Sequence, residues 1–239
     1  MSDLIKINGI IIRSNAYGDY DKMLTIISQE HGKIDCIARG CRRNKSKIAA
    51  VNSPFIYGEF ILTKKSGRLS LNQCSIDEYF YDLRFDLKKL SCAARICELV
   101  SLAGHYNENI QELFKLLYYC LSYLCYSELA EKDIYITFLA KYLSLQGYSP
   151  ATTKCAKCDN STFKNARFSK RFGAICERCA KSNNGFEIFP LDLEALRRLI
   201  ILKTEDIKNV VLPEDTRERL YYALREYYKF HFEREIKEL

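Results

Sequence analysis

Hydrophobic and polar positions along the chain follow two periods, and the change between them falls near residue 82. Before it the pattern is that of short strands. Leu4 to Arg13 is rich in Ile, Met23 to Ile27 is an apolar, β-branched run, and Ile34, Cys36 and Ala38 alternate with Lys33, Asp35 and Ile37 after the turn signal His31-Gly32. Phe55 to Leu62 supplies a fourth run and Arg68 to Ile76 a fifth, with the turn Lys64-Lys65-Ser66-Gly67 between them. Five short strands with turn punctuation predict a small barrel. The five-stranded OB-fold is one solution, and other small β folds satisfy the same count.

Beyond residue 82 apolar residues recur at three- and four-residue spacing. Leu83, Leu87, Leu90, Ala94 and Cys97 form one stripe; Ile110, Leu113, Leu117, Cys120, Leu121 and Leu124 a second; Ile134, Phe138, Tyr142 and Leu145 a third. Three amphipathic helices are expected. The third should stop at Gly147, which tolerates the left-handed conformation past a helix end, with Pro150 shortly after. Helix should resume over Leu191 to Lys203 and from Pro213 to about Lys237, with Pro213 at the first helical position. The fold class is therefore α+β: a barrel over residues 1–80, then a helical domain over 81–239 interrupted by a cysteine-rich insert at 152–184.

Composition narrows the class. At 239 residues with 48% hydrophobic and 28% charged side chains, the chain is long enough to bury a core and too apolar for disorder. No apolar stretch reaches the roughly 18 residues of a spanning helix, and the N-terminus lacks a basic region followed by an apolar one, so a cytoplasmic protein is expected. In that reducing compartment an odd total of 11 cysteines argues against a disulfide framework.

Charge is unevenly placed. Residues 1–80 carry a net +4 and residues 154–181 a net +6, whereas 81–153 and 182–239 come to −1 and −2. Two separate positive segments point to a polyanion.

The most specific motif is Cys155-x2-Cys158 followed, after 17 residues, by Cys176-x2-Cys179. Two such knuckles place four thiolates around a tetrahedral Zn²⁺, and with four protein ligands the metal has a structural role. Phe168 and Gly173 to Ile175 read as a small hairpin joining the knuckles, and Lys154, Lys157, Arg178 and Lys181 would offset the negative four-thiolate centre. Cys36, Cys92, Cys97, Cys120 and Cys125 are expected as buried small hydrophobes. No enzyme motif is present: three histidines, His31, His105 and His231, stand outside any H-E-x-x-H, and neither a Gly-Lys-Ser/Thr loop nor G-x-S-x-G occurs. His231-x-Glu233 follows the cysteine pairs in an aromatic helix and reads as an interfacial histidine rather than a deaminase signature.

The second strong segment is Arg39-Gly40-Cys41-Arg42-Arg43-Asn44-Lys45-Ser46-Lys47, five cations in nine residues without an acid. It reads as a flexible loop leaving a strand and tracking a phosphate backbone. Arg13, Lys33, Lys64, Lys65 and Arg68 belong to neighbouring strands or turns and extend the candidate DNA-binding set. Tyr17, Tyr20, Phe55 and Tyr57 are candidates for base stacking. Lys164, Arg167, Lys170 and Arg171 form a second basic segment, suited to another strand or to a protein partner.

Taken in order, Ile10 to Ser14, Tyr17-Gly18-Asp19-Tyr20-Asp21, His31-Gly32-Lys33, Ala38 to Ser46 and Pro54-Phe55 resemble the N-terminal signature of the RecO family of bacterial DNA repair proteins. Glu98-Leu99, Asn109 to Leu117, the paired C-x2-C and the Phe168, Gly173, Cys176 spacing resemble the family's following domain. The resemblance implies an N-terminal OB-fold, a helical domain carrying one structural Zn²⁺, and a non-enzymatic recombination mediator. Such proteins bind single- and double-stranded DNA, anneal complementary strands coated by single-strand binding protein (SSB) through contact with its C-terminal tail, and act with RecR to load RecA in the cytoplasm at the nucleoid. The chain has Cys41 where the family commonly has Ala, and several members lack the zinc cysteines. The competing reading is a zinc-containing adaptor that binds RNA or a transcription complex without annealing. A zinc hydrolase is a third reading, and it lacks an open metal position.

Overall fold

The computed structural model describes residues 3–103, 110–161, 165–180 and 185–239. The chain divides into two compact units, Met1–Cys125 and Tyr126–Leu239. The expected positions His105, Asn109, Lys164 and Lys181 lie outside the described residues.

All five expected strands form: β1 Asp3–Tyr17, β2 Asp21–Ser28, β3 Gly32–Ala38, β4 Ile56–Lys65 and β5 Arg68–Glu78. They close a barrel in the order β1-β2-β3-β5-β4, every pair antiparallel except β3 with β5. This is the order of the five-stranded OB barrel. β1 is long enough to pair with β4 through its first half and with β2 through its second, the two sets meeting around a register shift between Ile11 and Arg13. That double pairing is what lets the sheet close without a free edge. Alternate residues point inward, and Ile7, Ile11, Leu24, Ile26, Ile34, Cys36, Phe60, Leu62 and Leu71 fill the interior. The segment after β3 plugs one end, with Cys41, Ile48 and Val51 joining the same core.

Two helices complete the first unit: α1 Leu87–Ala103 and α2 Gln111–Tyr126, whose last residue falls past the division. The stripe expected on α1 is rotated. Leu83 is buried in a separate 3-10 turn, Tyr81–Phe85, while Leu87 is 81% exposed and Ala94 is exposed. The buried face is Cys92, Ala93, Ile96, Cys97, Leu99 and Val100. The cause lies at Asp86, whose carboxylate accepts the Lys88 and Lys89 amides and starts the helix there, so a count begun at Leu83 crosses two elements.

The second unit contains α3 Glu131–Leu145, β6 Ala166–Ser169, β7 Gly173–Cys176, the single turn α4 Glu177–Ala180, β8 Phe186–Ile188, α5 Pro190–Ile201 and α6 Glu214–Phe232. α3 is not amphipathic as expected: every residue from Asp133 to Leu143 is buried, because the helix packs against both α5 and α6. Its end is as expected. Gly147 has φ +82, and the Tyr148 amide reaches back to the Leu143 carbonyl at 2.8 Å. Proline occupies the first helical position of α5, at Pro190, whereas Pro213 stands just outside α6 in extended conformation. α6 stops at Phe232, short of the expected Lys237, where Glu233 turns to φ 52.

Two ion pairs with buried carboxylates and half-buried guanidinium groups hold α6 in place. Arg217 grips Asp133 at 2.6 and 3.2 Å, and Arg219 grips Asp192 at 2.7 and 3.1 Å. Asp192 is fully buried and also accepts Thr216 Oγ1 and the Phe189 amide. Burial opposes its ionisation, but the Arg219 guanidinium and these further donors outweigh burial and hold its carboxyl below the usual range.

Candidate metal centre and nucleic-acid interface

The cysteine-rich insert folds as a three-stranded sheet in the order β7-β6-β8. The expected hairpin is β6 with β7; β8, three residues long, has no period of its own to announce it. Gly173 is required at its position: its φ is +84, and a Cβ there would stand 2.5 Å from the Ala151 amide nitrogen. The close approach lets Ala151 bridge to Gly173, its amide bonding the Phe172 carbonyl at 3.1 Å and its carbonyl accepting the Ala174 amide at 2.8 Å, which draws the first knuckle onto β7, and the Ala156 amide bonds the Ala174 carbonyl at 3.0 Å. Phe168 is fully buried, edge-on to Tyr227 of α6, and Phe186 is edge-on to Tyr222. His231 sits among Tyr148, Tyr227 and Phe230, the interfacial position expected of it.

Cys155, Cys158, Cys176 and Cys179 come together with all four sulfurs within 4.8 Å of one another. Cys158 and Cys176 sulfurs are 3.7 Å apart. A tetrahedron with arms of about 2.3 Å has edges of about 3.8 Å, so the four sulfurs are close enough to hold one metal ion with small side-chain adjustments. The first knuckle is already shaped for a charged sulfur. Burial disfavours the Cys155 thiolate, but the backbone amides of Cys176, Lys157 and Cys158 outweigh it and hold its pKa down to about 6. Cys179, hydrogen-bonded to Cys158 and Cys176, is pushed up to about 12. Adjacent thiols cannot all ionise until a cation compensates them.

The ten cations expected to form one basic face fall into three groups. Arg39, Arg42, Arg43, Lys45 and Lys47 are exposed on the segment that plugs the barrel, beside the β1–β2 turn. Expected as flexible, this segment is tied down: the Arg42 amide bonds the Tyr20 carbonyl at 3.0 Å, the Gly40 amide bonds Asp21 at 2.7 Å, and Asn52 Nδ2 bonds the Cys41 carbonyl at 2.9 Å. Cys41, wholly buried, is the anchor that leaves Arg42 and Arg43 facing out. Sequence reasoning missed Asp21 and Asn52 as holders of the loop; only the position of Asp21 at a turn hinted at it. The Arg43 guanidinium lies 5.1 Å from the Tyr20 ring centroid.

Lys64, Lys65 and Arg68 are exposed at the β4–β5 turn. By strand direction, this turn and the β1–β2 turn lie at opposite ends of the barrel strands. Arg13 and Lys33 form the third group, beside α1. Lys33 Nζ donates to the Ser101 carbonyl at 3.0 Å, and Arg13 is near enough to Cys97 to favour its thiolate against burial. Of the four candidate stacking rings, Tyr17 and Tyr20 are each 52% exposed, Phe55 is buried, and Tyr57 packs on Phe114 and Tyr118. Among the described residues, no helix is long and apolar enough to cross a membrane.

Comparisons with known proteins agree with this architecture. The family model described as Recombination protein O N terminal matches residues 1–80, and that described as Recombination protein O C terminal matches residues 84–239. The DNA repair protein RecO of Alkaliphilus metalliredigens is 33% identical over 97% of this chain and 95% of its own length. That of Bacillus subtilis is 33% identical over 95% and 89% respectively, and that of Clostridium perfringens 31% identical over 91% and 89%. With both halves of the chain matched and the barrel and cysteine cluster in place, the chain belongs to the RecO family of recombination proteins.

Proposed function

We propose that the protein is a non-catalytic recombination mediator in DNA repair, acting in the cytoplasm at the nucleoid. It binds single- and double-stranded DNA, anneals strands covered by SSB through contact with the SSB C-terminal tail, and helps RecR load RecA. The supporting observation is the arrangement of the barrel: five exposed cations on a pinned loop beside two exposed tyrosines, at one end of an OB-type barrel, with Lys64, Lys65 and Arg68 at the other. The β1–β2 turn that carries Tyr20 and the β4–β5 turn are ones OB barrels use to bracket an oligonucleotide, and the basic β3–β4 segment lies beside the first. Annealing needs two polyanions brought together against repulsion, and cations facing phosphates do this through counterion release without reading sequence. Arg42, Arg43 and Lys45 are the principal phosphate contacts; Lys33, spent on a helix C-terminus, is a minor one.

We assign the metal as one Zn²⁺ per chain, bound by Cys155, Cys158, Cys176 and Cys179. When bound, it supplies cross-linking of the two knuckles and no open coordination position. The residues around it make the knuckle amides and the Phe168 packing that fix the insert on α6.

The test is an annealing assay on SSB-coated complementary strands without nucleotide. The protein should speed pairing and the Arg42/Arg43/Lys45 triple alanine variant should not. Binding to RNA with no acceleration of annealing would instead support the adaptor reading.

A further inference from the structure

The positive charge of residues 154–181 exceeds what the metal centre needs, since a divalent cation with four thiolates offsets only two of the net six charges. Two of the cations are engaged locally: Lys154 pairs with Asp159 at 2.6 Å, and the Arg167 guanidinium donates to the Gly185 carbonyl at 2.9 Å. Lys157, Lys170, Arg171 and Arg178 have no carboxylate partner among the described residues. Three of them are joined by aromatic rings. Lys157 Nζ and the Arg171 guanidinium lie 5.7 and 5.0 Å from the centroid of Phe172, and Lys170 Nζ lies 5.9 Å from that of Phe230, which is 40% exposed. Lys157 Nζ also donates to the Cys179 carbonyl at 3.4 Å, one residue from the exposed Arg178.

These groups lie along one stretch of the module: Arg178 and Lys157 by the second knuckle, Lys157 and Arg171 about Phe172, and Lys170, next to Arg171 in sequence, over Phe230 of α6. It is fixed in place. The β6–β7 turn is closed by the Arg171 amide on Ser169 Oγ at 3.2 Å and the Phe172 amide on the Ser169 carbonyl at 3.3 Å.

We propose that this strip is a second site for single-stranded nucleic acid, carried by a different compact unit from the barrel loop. Cations interleaved with partly exposed rings serve phosphates and bases together, whereas an acidic protein segment would use the cations alone. The inference rests on the annealing reading above and deepens it, because a mediator that pairs strands must hold a second one. Its phosphate contacts are Lys157, Lys170, Arg171 and Arg178, and its stacking ring is Phe230.

The test uses the full-length, metal-loaded protein and two short, non-complementary oligodeoxynucleotides of different mass, with strands per chain counted by native mass spectrometry. The parent should carry two. Lys170→Ala/Arg171→Ala/Arg178→Ala should carry one, the Arg42/Arg43/Lys45 alanine variant one, and the combination none. The strand still held by the barrel-loop variant should show a salt slope of about −3, as four phosphate contacts at about −0.7 each imply. A 2-aminopurine strand bound to the barrel-loop variant should be quenched, and Phe230→Ala should relieve that quenching.

A module variant with native circular dichroism and metal content that still carries two strands overturns the proposal alone, as does a parent that carries only one strand and loses it solely with the barrel loop. Capture of oligoglutamate but no oligonucleotide by the barrel-loop variant assigns the strip to acidic protein and overturns it too. A parent that binds no oligonucleotide removes the annealing reading as well.

Discussion

The barrel and the cysteine module solve the same problem, presenting fixed cations to solvent, with opposite means. The barrel has a large apolar interior and uses it: Cys41 is pulled into that core, and the arginines on either side of the anchor are turned outward as a consequence. The module has a core of only Cys155, Ile175, Cys176 and Ala180, with Phe172 and Cys179 packed on it. Two of those four buried residues, and one of the two that flank them, belong to the cysteine cluster that could hold a metal ion. A small segment cannot bury enough surface to offset its chain entropy, so docking on α6 and, on the proposed reading, a cross-linking ion take the place of the core. Where the core is large, a basic loop can be positioned by one buried thiol; where it is small, the proposed metal would do the same task.

Breaking the metal centre should have the largest effect and should be confined to one side of this comparison. Cys176→Ser is expected to release the metal and abolish amide-exchange protection across β6, β7 and β8, while β1 to β5 keep theirs. Equal loss of protection in the barrel would show that the two regions are not energetically separate. In the barrel, Phe60→Ala removes a fully buried ring and should cost about 3–5 kcal/mol in denaturant unfolding, with metal content unchanged.

A third change sharpens how the module is supported. Arg219→Ala leaves the buried Asp192 carboxylate without its guanidinium and should cost about 3 kcal/mol. The pair also makes an acid-dependent contribution. The folded carboxyl titrates below its unfolded value, so its stabilisation is complete above the unfolded Asp pKa of about 3.9 and is lost as pH falls through the depressed folded value. Asp192→Asn should therefore flatten the acid limb of stability against pH, and the parent and variant curves should converge toward low pH. Parallel curves would contradict this role.

The same contrast explains what could be read in advance. The barrel strands were legible because each has one buried and one exposed face, and period-two alternation records that directly. The clustering of the four cysteines was legible because knuckle spacing is local chemistry. The stripe on α1 was not, since nothing in the Leu83–Leu90 spacing reveals that a 3-10 turn ends and a helix begins at Asp86. α3 was misread as two-faced because its buried polar groups, such as Asp133 and Thr137, are satisfied by partners distant in sequence or by its own turn. The grouping of cations was equally hidden: Lys33 reads like its neighbours until Ser101, 68 residues away, takes its proton donors.

The smallest expected change in stability belongs to the loop, and it carries the most direct test. Changing Arg42, Arg43 and Lys45 to Ala leaves Cys41, Asp21 and Asn52 to hold the backbone, so melting should move by no more than about 0.5 kcal/mol. Each lost single-strand phosphate contact removes about 0.7 from the slope of log K against log salt. The measurement is the salt slope of the triple variant and the parent on two single strands of unrelated sequence. The account predicts a slope less negative by about 2 on both strands, with equal weakening; an unchanged slope in a folded variant, or a loss confined to one sequence, would contradict it.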